Sequence, residues 1–225
     1  MGSTQAAPPD VSLRPRLRGV WHQWAFVASL GAGGALILSA AGRGTEAVVA
    51  CVVYALSIAG LLGTSATYHR VAWRTAAARA RMRRLDHAMI FVLIGGTYTP
   101  VALLSLQPPL GTVVLVVVWA GAAIGIAINV VWITAPRWLI VGIYVALSWV
   151  VVLALRELTQ RTGALAIGLF ALGGLLYMGG GAVYARRRPD PVPGIFGYHE
   201  VFHACVLAAI AAHFAAITFV VVPQA

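Results

Sequence analysis

The sequence contains no lysine: all sixteen basic residues are arginine, and only six residues are acidic. Charged residues make up 10% of the 225 residues and hydrophobic ones 60%, a balance that excludes an ordinary water-soluble domain. A net charge of +10 would point to nucleic acid in a soluble chain. Here long apolar runs give the arginines a different use, because basic loops orient membrane proteins, and no nucleic-acid partner is expected. There are only two cysteines, Cys51 and Cys205. Both fall in apolar segments near opposite membrane faces, which excludes a disulfide between them and leaves them as packing residues. Arginine without lysine, in a background of Ala, Gly and Val, also suggests a GC-rich bacterial genome.

What the chain has in quantity is span-length apolar sequence. The runs are Trp24 to Ala41, Ala47 to Tyr68, His87 to Leu106, Leu110 to Trp132, Trp138 to Leu155, Gly163 to Ala185 and Gly197 to Val222. Each lies near the roughly 20 residues a helix needs to cross the hydrocarbon. The predicted fold is therefore an all-α membrane protein, a seven-transmembrane helix bundle formed by residues 21–225 as one domain. Residues 1–20, rich in proline and without apolar periodicity, read as a partly disordered arm. The arm and first run together resemble a signal peptide ending near Ala40, but the run is as long as a span.

Arginine placement sets the orientation. Three arginines lie in the arm, six between Arg70 and Arg84, one at Arg137 and three at Arg186 to Arg188, all on one side, against Arg43, Arg156 and Arg161 on the other. The amino terminus is therefore predicted to be cytoplasmic and the carboxyl terminus outside, in a multi-pass protein of the bacterial inner membrane. The segment from Arg70 to Arg84 is predicted to form a short interfacial helix on anionic cytoplasmic lipid, each arginine contributing about 1 kcal/mol near the surface.

That topology gathers a set of polar side chains. His199 and His203, four residues apart at the start of the last run, leave one helical face about 6 Å apart along the axis. His69 closes the second run and Asp86 opens the third at the same depth, with Ser65 one turn before His69. Three imidazoles from two helices suit a metal ion, and ionisable residues inside spans are functional by default. Zinc is the first candidate, ahead of iron or manganese. His213 lies about 15 Å beyond His203 and is too far to share the ion. It lines a polar cavity or satisfies a buried carbonyl. His87 leaves its helix about 100° from Asp86 and reads as a packing or interface residue. His22, between Trp21 and Trp24, reads as an interfacial anchor. His199 to His203 also fits the H-E-x-x-H pattern of zinc proteases, with Glu200 as the base. Such a protease would need a further downstream ligand, and only His213 follows.

Ser65-Ala66-Thr67-Tyr68-His69-Arg70, Leu85-Asp86-His87 with Gly95 to Pro100, and Gly197 to His203 resemble the three signature blocks of the bacterial hemolysin III family, and Arg16 to Gly19 with His22 resembles its amino-terminal block. That family is similar to the progestin and adiponectin receptors and, more distantly, to the alkaline ceramidases. The resemblance implies a seven-helix bundle with a cytoplasmic amino terminus and zinc held by His69, His199 and His203. It further implies that Asp86 holds or activates the zinc-bound water and that Ser65 lies nearby, in reach of a substrate oxygen. It gives Glu200 no catalytic role. The implied activity is metal-dependent hydrolysis of a membrane lipid amide such as a ceramide-like molecule. Two alternatives stand beside it: a membrane pore, as the family name suggests, and a receptor or sensor in which zinc is structural.

Overall fold

In a computed structural model, residues 15–132 and 135–225 are described. Among them the chain is helical apart from its connections and one isolated bridge between Val192 and Phe196. Helix α1 spans Val20–Ala40, α2 Thr45–Arg70, α3 Ala76–Ser105, α4 Leu110–Val131, α5 Arg137–Ser148, α6 Val151–Arg186 and α7 Tyr198–Ala216. Beyond α7 the helical path continues through a wider turn at Ile217–Val221 and a tighter one at Val222–Gln224. Six helical segments among the described residues are long and apolar enough to cross a membrane.

The expected seven runs become six segments because two of them are joined. Trp138–Arg186 is one 49-residue apolar helical stretch. The residues expected to form a loop there, Arg156 to Thr162, are helical. They contain good helix formers, and Arg161 pairs with Glu157 one turn earlier, Nε to Oε1 at 3.6 Å. The break falls instead at Gly163, whose φ of 74° and ψ of 178° interrupt the helix, in a region that favours glycine.

A second difference concerns the arginine-rich segment. It does not form a separate helix. Thr75 caps α3 by accepting a hydrogen bond from Ala78 N at 3.1 Å, and the helix then runs unbroken through Arg79, Arg81, Arg83 and Arg84 into the apolar stretch. Alanine and arginine are both strong helix formers and nothing between them breaks the ladder. Thirty residues extend about 45 Å, longer than a roughly 30 Å hydrocarbon layer, and the arginine-bearing turns form the first part of this rod.

Neighbours in sequence pack together, α1 on α2, α2 on α3 and α3 on α4, while α7 lies along α6 and returns onto α1. The main core takes Leu36 from α1, Cys51, Tyr54, Ile58 and Leu62 from α2, Leu93 from α3, and Val206 and Ile210 from α7. Cys51 is buried in it, Cys205 is half-buried, and both are free thiols. Large apolar side chains such as Trp24, Leu38, Val131 and Phe219 point outwards, as lipid-facing positions do. The return of α7 beside α1 and α2 is what places its first turn against the last turn of α2. Of the expected amino-terminal arm, residues 1–14 lie outside the described residues. Residues 15–18 form a turn docked on the α6–α7 connection, with Arg16 N donating to Gly194 O at 3.1 Å and Leu17 N to Ile195 O at 3.2 Å.

Candidate metal centre

The last turn of α2 carries His69 and the first two turns of α7 carry His199 and His203. The structure brings these three together. The Nε2 atoms of His69 and His199 are 3.2 Å apart, and one ligand nitrogen from each of the three rings lies within 4.8 Å of the others. Ring centroids are 4.8 Å apart for His69 and His199, 5.1 Å for His69 and His203, and 4.5 Å for His199 and His203. A tetrahedral zinc with bonds of about 2.0–2.1 Å holds its nitrogens about 3.3–3.4 Å apart. The His69–His199 pair, at 3.2 Å, is close to that spacing, and the third ligand nitrogen lies within 4.8 Å of both. The donor set therefore fits a zinc ion, with three imidazoles and one position to spare. Tyr184 of α6 backs His199, with ring centroids 5.5 Å apart.

Ser65, one turn before His69, is only 3% exposed. Its hydroxyl is 2.9 Å from His22 Nδ1, and it neighbours the Asp86 carboxyl group on α3. Asp86 thus lies beside the histidine cluster, next to Ser65. His87 turns its backbone carbonyl to the Tyr144 hydroxyl, which donates to it at 2.9 Å. His213 lies against Gly173 of α6, with Nε2 3.1 Å from the Phe170 carbonyl oxygen, so of its two expected roles the structure shows the bonded carbonyl.

Two residues have places that sequence reasoning missed. His22, expected at the interface, is 3% exposed, and its ring stacks on His203 with centroids 3.9 Å apart and planes 6° from parallel. Glu200 is 1% exposed. Its Oε1 pairs with Arg18 of the arm and its Oε2 accepts from Gly197 N at 2.9 Å, which caps α7. Asp190 adds a second cap, accepting from Tyr198 N at 3.0 Å. Both oxygens of Glu200 are engaged, so the H-E-x-x-H segment lacks the free base of a zinc protease. The arm reaches Glu200 because Gly19 turns at φ 76°, where a Cβ would come within 2.6 Å of the His69 Cβ. The signal available in the sequence was the block Arg16 to His22 itself, whose spacing puts a turn between a cation and a histidine.

Residues 12–214 match the model of the family described as Haemolysin-III related. The chain belongs to that family. Among its relatives is Hemolysin-3 of Bacillus cereus, 30% identical over 191 residues, which covers 84% of each chain. Another is the Hemolysin-3 homolog of Bacillus subtilis strain 168, 29% identical over 185 residues, covering 82% of this chain and 83% of the relative. Membership and the apolar helices make this haemolysin-III related chain a multi-pass membrane protein. The matched range takes in the arm from residue 12, all three clustered histidines, Ser65 and Asp86.

Proposed function

We propose that this protein is a zinc-dependent hydrolase of amide-linked membrane lipids, with its site at the cytoplasmic end of a seven-span bundle in a bacterial inner membrane. The observation that carries the reading is the convergence of His69, His199 and His203, with Ser65 and Asp86 beside them. Length supports seven crossings: a 49-residue helical stretch extends about 73 Å, more than twice the hydrocarbon thickness, and it is interrupted at Gly163. An odd number of spans puts the termini on opposite sides, and the arginine distribution puts the amino terminus inside. The arginine-bearing rod of α3 then projects into the cytoplasm, where anionic headgroups are its partner.

His69, His199 and His203 would hold the zinc. When bound, such an ion supplies a Lewis acid and a coordinated water with a pKa near about 7. Asp86 takes the proton of the attacking water and returns it to the leaving amine as the amide C–N bond breaks, giving a fatty acid and an amine. Ser65, whose hydroxyl is 2.9 Å from His22 Nδ1, neighbours the Asp86 carboxyl group and would orient it. The low polarity around the site strengthens each of these interactions.

The test is fatty-acid release from a ceramide-type lipid by purified protein in mixed micelles. Asp86→Asn should retain zinc and lose activity by about 10²–10⁴-fold, the usual contribution of general acid–base catalysis. Release that is absent from every lipid amide, with and without added zinc, contradicts the proposal. Zinc retained by a protein that hydrolyses nothing would favour the reading in which the ion braces the bundle of a receptor or sensor.

A further inference from the structure

We propose that His22 is a positioning residue of the histidine cluster: its ring, held by Ser65, is a flat wall that sets the orientation of the His203 imidazole. The inference rests on reading His69, His199 and His203 as a metal site.

The geometry excludes His22 as a fourth ligand. A ring nitrogen binds an ion through a lone pair in the plane of the ring. His22 and His203 lie face to face, 3.9 Å between centroids and 6° from parallel. Their in-plane lone pairs therefore run side by side and never converge on one ion. Stacking instead restricts rotation of the His203 ring, a freedom that a ligand must otherwise lose when the ion binds. Groups that orient a metal's ligands typically contribute 10–100-fold to affinity, mostly by a hydrogen bond to the second ring nitrogen. Here part of that task falls to a ring face.

The His22 ring is fixed in turn. Its Nδ1 is 2.9 Å from the Ser65 hydroxyl, while Nε2 makes no hydrogen bond among the described residues. The arm holds His22 in place through Gly19 beside His69 and Arg18 on Glu200. One connected path therefore runs from Ser65 through His22 to the face of His203.

The experiment is Zn²⁺ affinity of the detergent-purified full chain, measured by competition with a chelator of known affinity, together with the melting temperature of the metal-free protein. His22→Asn keeps an amide near the Nδ1 position but has no ring to stack; His22→Phe keeps the flat ring and loses Nδ1. The proposal predicts zinc binding weakened about 10–100-fold in His22→Asn and close to wild type in His22→Phe, with similar metal-free melting for both. Equal affinity in wild type and His22→Asn overturns it, as does the reverse order of the two variants. Metal-free melting that falls in step with affinity also overturns it, since His22 would then be a general packing residue. A wild type that takes up no zinc, or a His69→Ala variant that binds as tightly as wild type, instead removes the metal site on which the inference stands.

Discussion

Replacing Arg18 with alanine strips the partner from a carboxylate that is 1% exposed, whereas Arg18 itself is 22% exposed. The asymmetry sets the size of the effect. Removing one member of a buried ion pair costs about 3–5 kcal/mol, because the other charge is left without compensation. Glu200 keeps its bond from Gly197 N, and water can partly reach the space left by Arg18, so about 2–3 kcal/mol is the expected loss for Arg18→Ala. Glu200→Gln should lose less, because the amide oxygen still caps α7 and the released guanidinium is closer to water. Combining Arg18→Ala with Glu200→Gln should cost less than the sum of the two, with a coupling of about 1–3 kcal/mol. The assay is equilibrium unfolding of the purified protein in mixed micelles with increasing sodium dodecyl sulfate. Arg18→Ala within about 0.5 kcal/mol of wild type, the range of an ordinary surface substitution, would refute the assignment of this pair as a clamp between arm and α7. Glu200→Gln should also leave zinc content unchanged, in contrast to what a protease base at that position would show in its cleavage rate.

Gly19→Ala should destabilise the fold by at least about 1–2 kcal/mol, the cost of a side chain at this left-handed φ, and should also weaken zinc binding by displacing His69. Unfolding and zinc titration of the same sample check both. Reporter fusions give the topology: a fluorescent protein at the amino terminus should be active inside the cell, while alkaline phosphatase after Ala225 should be active outside. A fluorescent amino-terminal fusion together with an inactive phosphatase after Ala225 would mean an even number of crossings and contradict the division at Gly163.

The clustered histidines were legible because two independent periodicities agreed. The spacing of His199 and His203 puts both on one helical face, and alternating spans put His69 at the same level. Both periodicities are local and independent of any long-range contact. His22 and Glu200 were not legible for the opposite reason. Between Trp21 and Trp24, His22 has the local context of an interfacial anchor, and its burial depends on a turn at Gly19 that folds the chain against α2. Glu200 meets Arg18 across 182 residues, and no local pattern encodes that meeting. The boundaries of α5 and α6 were misplaced because Arg156 to Thr162 is polar enough to suggest a loop yet consists of residues that sustain a helix. The arginine-rich start of α3 carried the information for its continuous helix in its Ala and Arg content, and charge alone concealed it.

The most direct measurement is the metal content of protein purified from zinc-replete cells, wild type beside His199→Ala. The account predicts one zinc per wild-type chain and a near-complete loss in the variant, with the helical signal of both unchanged. Wild-type protein without a stoichiometric divalent cation, or a variant that retains it in full, would contradict the claim that His69, His199 and His203 share one ion.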